Sequence, residues 1–291
     1  MTSELLAWSR RLCVLIGFAV CSAHADSLSL CTARADGNYY AAGEAIRARI
    51  DSDRLQLELI ETAGSVDNLN RLARGECDAA IVQLDAYLVY QETNRSKRLQ
   101  LARPNYLYEE FVHLVCRRDT HIDSIEDLAR DSAKNSILIG EAESGSAATW
   151  RSFTLLNPSY ASLPTGAVGG MQALTEIQSS SGPACMIYVS GLHSKFSTAV
   201  NAAGDSLQIV PVNDPSLDAA RFAGDRIYRF RDIPADTYPG LAAGRDLETL
   251  TVGAALFVTQ RWARQHYDSH SYLVDAILLA KATILERVAP K

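Results

Sequence analysis

From residue 27 onward, short β-rich runs alternate with stretches of helical period. Apolar side chains recurring every second residue predict strands over 27–32 and 55–61, a short apolar run predicts a strand over 79–84, and a 3.6-residue period predicts helices over 39–50 and 66–74. A strand, helix, strand order of this kind implies parallel βαβ units. A second series follows: strands over 112–116, 136–140, 184–189 and 207–212, with helices over 147–156 and 193–203. The Pro- and Tyr-bearing stretch 103–110 separates the two series and reads as a crossover between two α/β halves. Residues 213–250 are richer in Asp, Pro, Gly and Arg. The apolar run 251–259 then predicts a buried strand, and the amphipathic segment 271–288 a closing helix. No short-period repeat or low-complexity tract interrupts this plan.

The first 25 residues follow a different pattern: Arg10 and Arg11, an apolar stretch over 12–20, then Ala23-His24-Ala25 ahead of Asp26. That is the order of a secretory leader cleaved after Ala25, and the apolar stretch falls far short of the roughly 20 residues that span a bilayer. Ser9-Arg10-Arg11 has a partial twin-arginine look, and Cys21 stands where a lipidated cysteine could stand, although Val20 suits that processing poorly. A periplasmic location is therefore expected, and with it a compartment in which disulfides persist.

The whole chain has 291 residues, is 47% hydrophobic and carries a formal charge of −6. Loss of Glu4, Arg10 and Arg11 with the leader takes the charge to −7, which argues against a nucleic-acid partner. The remaining length is enough for two domains of ordinary size with their own cores.

Ligands of open α/β sheets gather where strands end and loops feed into helix N-termini. Here those loops are 35–40, 62–65, 83–85, 141–146 and 190–191. Ser65 is placed to cap a helix behind the small residues Ala63 and Gly64, and Ser144-Gly145-Ser146 opens a helix of the second series in the same way. Tyr39 and Tyr40 offer rings and hydroxyls for closing over a solute, or serve as half-buried packing residues. Enzyme signatures are missing: the sequence has no GxSxG, HExxH, GxGxxG, Walker loop or CxxC. His266 and His270 share a helical face but lack a clear third ligand, so no metal and no cofactor are expected.

Four segments, in order, resemble the TAXI type of solute receptor for TRAP transporters, a branch of the type II periplasmic binding proteins. They are GNYYAAGEAI at 37–46, TAGSVDNLNRLARGECDAAIVQLDA at 62–86, LYEEFVHLVCRRDTHIDSIEDL at 107–128 and DIPADTYPGL at 232–241. The resemblance implies a Venus flytrap of two lobes, each a mixed sheet flanked by helices. Residues 26–109 with 213–291 would form lobe I, and 110–212 lobe II. It further implies a small carboxylate or amino acid, glutamate-like, as ligand, a membrane permease as partner, and a monomer.

Carried over by position, the ligand set is Tyr39, Tyr40, Ser65, Gln83, Asp85, Ser144, Gly145 and Ser190, with Tyr108 near the crossover. Arg34 joins it where Cys31-Thr32-Ala33-Arg34-Ala35-Asp36-Gly37 replaces the family's glycines; it would either grip a carboxylate or point to solvent. Glu141 and Glu143 are a second departure, in a loop where the family favours Gly and Pro.

The implied topology makes the strands of Cys116 and Cys185 antiparallel neighbours, so a disulfide between these two is expected. Cys31 and Cys77 would fall toward opposite ends of their sheet. A periplasmic sensing module that docks on a signalling receptor is the alternative reading, and a hydrolase using the cleft acids a third.

Overall fold

A computed structural model describes residues 25–96, 98–222, 224–241 and 244–288, so the predicted leader up to His24 lies outside the described residues. The chain opens with β1 (Asp26–Cys31), whose Leu28 and Leu30 are wholly buried, followed by α1 (Asn38–Arg47), β2 (Leu55–Ile60), α2 (Ser65–Arg74) and β3 (Ala79–Gln83). β1 lies between β2 and β3 and runs parallel to both, as strand–helix–strand connections require. α2 stops at Gly75, whose φ of 71° is left-handed and costs glycine nothing.

α3 (Leu84–Thr93) follows β3 without a loop. Sequence periodicity does not announce this helix, because it is buried on two sides: Ala86 joins one core while Leu84 and Leu88 pack against another. β4 (Asn105–Arg117) then takes the place of the expected crossover loop at 103–110. Its first half pairs antiparallel with the last strand of the sheet and its second half with strands of the other lobe.

The second lobe continues with α4 (Ile125–Arg130), β5 (Ile137–Leu138), α5 (Gly145–Leu156), β6 (Thr165–Gly166), α6 (Gly170–Ile177), β7 (Cys185–Ser190), α7 (Lys195–Ala202) and β8 (Leu207–Val210). A short hairpin of β9 (Arg221–Phe222) and β10 (Asp225–Arg226) leads to β11 (Tyr228–Ile233) and β12 (Leu247–Val258). α8 (Gln260–Gln265) and α9 (Tyr267–Val288) follow.

The sheet order is β2-β1-β3-β12-β4-β7-β5-β6, with β11 also on β12 and β8 also on β4. The long antiparallel pair β4 and β12 therefore carries the chain between lobes in both directions. Their register shifts between Ala254 and Ala255. Beside that shift a Cβ on Gly253 would come within 2.7 Å of the Tyr106 ring, so the crossing strand needs glycine there.

Leu28, Leu30, Ile46, Ile81, Leu256 and Ile284 belong to the first-lobe core; Val112, Leu114, Trp150, Phe153 and Tyr228 belong to the second. Leu217, Ile227, Leu250 and Val252 pack into that second core, and Ile233, Tyr238 and Leu247 into a neighbouring second-lobe cluster. The return to the first lobe is thus made along β12, downstream of the expected boundary at 213.

Cys116 and Cys185 face each other in the β4–β7 ladder and are disulfide-bonded, with Cα atoms 4.0 Å apart. Cys31 and Cys77 are bonded as well, at 5.9 Å, which corrects the expectation of opposite sheet ends. β3 begins only at Ala79, so Cys77 sits in the turn from α2 and not on the ladder. There it turns into the same apolar layer as Cys31, with Leu69 and Leu72.

Candidate ligand-binding site

Where α1, α2, β3 and β4 converge, the fold buries a polar cluster. Tyr39 comes from the first turn of α1, Ser65 opens α2, Gln83 ends β3 and Tyr108 lies on β4, all of them buried. Ser65 is the first helical residue and Gly64, at φ 124°, holds the N-cap position, so the Ser65 hydroxyl does not cap the helix as expected. It accepts from the Gln83 backbone N–H at 3.2 Å and lies 3.1 Å from the Tyr39 hydroxyl.

Tyr39 in turn donates to Oε2 of Glu110 at 3.1 Å. Glu110 is absent from the residues chosen on sequence, yet it is 4% exposed and central to the cluster. Burial pushes its carboxyl up to about 8; hydrogen bonds from Tyr39 and Gln83 partly offset this, and the nearby Asp85 charge adds to it.

Adjacent Glu109 points the other way, to Arg229 at 3.0 Å and Arg231 at 3.5 Å on β11. Among the described residues Glu110 has no such cation. The available signal was strand parity: Glu110 shares a face with Tyr108 and Val112, both buried.

The second lobe meets this cluster through the loop ahead of α5. Ser144 caps α5, accepting from the Ala147 N–H at 3.2 Å. A Cβ on Gly145 would collide with the Gln83 side-chain amide, so only glycine lets Gln83 lie against α5. The N–H groups of Val66 and Asp67 donate across the lobes to the Glu143 carbonyl at 3.2 and 3.4 Å. Ser190, at the end of β7, is paired with Phe111 beside Glu110, and the backbone at Gly191 lies close to Asn38 of α1. Glu141 and Glu143 are exposed.

Three expected residues stand differently. Asp85 is wholly buried, and its Oδ2 accepts from Thr149 at 2.6 Å and Tyr228 at 2.8 Å, so it ties α3 to α5 and β11. Arg34 is outside the cluster: its side chain is 80% exposed and faces Asp36 at 3.7 Å. Tyr40 is half-buried next to Tyr39. His266 is engaged by Asp26 at 2.9 Å, and no group of three potential metal ligands occurs among the described residues. A cavity of about 390 Å3 lies apart from the cluster, on the second lobe between Trp150, Arg151, Tyr160 and Thr165.

The two-lobed fold is shared with solved proteins. The chain is similar to a Bordetella bronchiseptica RB50 protein (13% identity, TM-score 0.54, covering 91% of this chain and 76% of that one). It is also similar to lactococcal OpuAC in its closed, glycine betaine-bound conformation (12%, 0.51, 90% and 89%). A third is the Nostoc punctiforme GluR0 ligand-binding core in complex with L-glutamate (12%, 0.51, 91% and 100%). These likenesses establish the two-lobed periplasmic binding protein fold. No curated protein sequence matches the chain. The profile of the NMT1-like family matches residues 30–267, and the chain belongs to that family.

Proposed function

We propose that this chain is an extracytoplasmic solute-binding protein, not an enzyme, which captures a small carboxylate or amino acid of the glutamate-like class and delivers it to a TRAP-type permease. The observation that carries the reading is the cluster of Tyr39, Ser65, Gln83 and Glu110, buried where β4 crosses between the lobes and faced by Ser144 and Gly145 of the second lobe. Polar side chains that converge between two lobes hold a solute only when the lobes close, and closure follows from stronger contact in the closed state. Lobe I as 26–109 with the end of the chain, and lobe II between, suits a hinge at β4 and β12.

Two disulfides suit a periplasmic protein exported with a cleaved leader. The relatives of like fold include proteins solved with glycine betaine and with L-glutamate, which favours a small polar solute here. The four TAXI-like segments favour a TRAP-type partner over other transporters, with the protein acting as a monomer.

A thermal-shift panel of amino acids and small carboxylates on ligand-stripped protein tests this. A ligand that binds only the folded state raises the melting temperature, by an amount that grows with the logarithm of its concentration over Kd. At least one member of the panel is expected to do so, and a flat response across it would count against the reading.

A further inference from the structure

We infer that Glu110 and Gln83 form a receptor for a protonated nitrogen, so that the cleft takes solutes bearing a primary ammonium group over carboxylates that lack one. This rests on the solute-capture reading and narrows it.

The first ground is the contrast between neighbours on one strand. Glu109 has two arginines, whereas Glu110, more deeply buried, has no cation among the described residues. The titratable groups around it are Tyr39 on α1, Asp85 on α3 and Tyr108 on its own strand, none of them basic. Asp85 is already occupied by Thr149 and Tyr228, so it adds negative potential without offering a free oxygen pair.

The second ground is the direction of the hydrogen bonds. Ser65 accepts from the Gln83 backbone, and Tyr39 donates to Glu110. With the carboxylate ionised, the Ser65 proton is left for the Tyr39 oxygen, so the donors run toward Glu110 and end on it.

The third ground is the side chain of Gln83. The Gln83 amide serves Glu110, and its own Oε1 is buried without a partner among the described residues. That residue is 2% exposed, and its amide lies at the lobe junction against Gly145. An orphaned acceptor and an acid without a cation ask for the same complement: several N–H donors on one positive centre. An ammonium has three donors and no acceptor. A second carboxylate would meet like charge, and a quaternary ammonium would bring the charge but no donor.

The test is isothermal titration calorimetry on the full mature protein, stripped of bound solute by unfolding and refolding with its disulfides intact. The probes are L-amino acids, the matching acids without the amino group, and the matching trimethylammonium betaines. We expect at least one amino acid to bind, and its nitrogen-free and trimethylated counterparts to bind roughly 100-fold more weakly, because they leave buried acceptors unpaired. Glu110→Gln should weaken the amino acid by a similar factor, and near neutral pH the wild type should release about one proton on binding, read from the heats in two buffers. The Gln83→Met variant, which removes the orphaned acceptor, carries the test if Glu110→Gln does not fold.

Equal affinity for an acid with and without its nitrogen would overturn this inference while leaving solute capture intact. Binding by no probe at all would overturn both.

Discussion

Glu110→Gln should make the protein's stability much less dependent on pH. The carboxyl has an ordinary value of 4.5 and is pushed up to about 8 by burial. A group that holds its proton more tightly folded than unfolded leaves the folded state with more protons. Its contribution is therefore complete below the unfolded value and is lost as pH rises through about 8. At about 1.36 kcal/mol per pH unit the full effect is on the order of 5 kcal/mol, of which about 4 kcal/mol falls between pH 5 and pH 9. Glutamine has nearly the same shape and no charge to lose. Urea unfolding of both proteins should give similar stabilities near pH 5, with the variant the more stable near pH 9.

Taking the difference between the two proteins cancels other titrating groups. His113 is one of them, held down to about 3 by burial, which outweighs the opposing hydrogen bond to the Phe111 carbonyl. A constant difference across the pH range would refute the burial and isolation of Glu110 on which the site rests.

Other perturbations reach other parts of the account. Gly145→Ala drives a Cβ into the Gln83 amide while leaving helix propensity no worse, so the contact between lobes should weaken by about 1–3 kcal/mol and the radius of gyration should rise in small-angle scattering. Asp85→Ala strands the hydroxyls of Thr149 and Tyr228 in a buried place and should cost about 3 kcal/mol in urea unfolding, with Asp85→Asn costing less. Cys31–Cys77 and Cys116–Cys185 span 46 and 69 residues, so chain entropy assigns up to about 4 kcal/mol to each. Reduction should lower the melting temperature sharply, and alkylation of the unfolded, unreduced protein should modify none of these four cysteines.

The strands β1, β2 and β3 were legible because each alternates or runs apolar between clear turn residues, and the helices between them because one face of each is buried. α3 was not, since a helix wedged between two cores has no polar face to reveal its period. β4 hid in its first half for a related reason: Pro104, two tyrosines and two glutamates read as a loop, while the acids have opposite fates on opposite faces of a strand. β11 hid its alternation behind Arg229 and Arg231, which serve Glu109.

Tyr39, Ser65 and Gln83 could be picked out because loops after parallel strands share one edge of a sheet. Glu110 could not, because its role depends on which cations reach it. Nothing along the chain says that Glu109 takes both arginines. The Cys31–Cys77 bond was illegible for a geometric reason, since residue spacing along an ideal strand does not apply to a turn.

The most direct test of solute capture between the lobes is a crystal structure of the protein with whichever panel compound raises its melting temperature. The account predicts that compound at the lobe junction, within hydrogen-bonding distance of Ser65, Gln83 or Glu110 and of the Ser144–Gly145 loop. The same compound seated instead in the cavity beside Trp150 and Tyr160, with the junction unchanged, would contradict it.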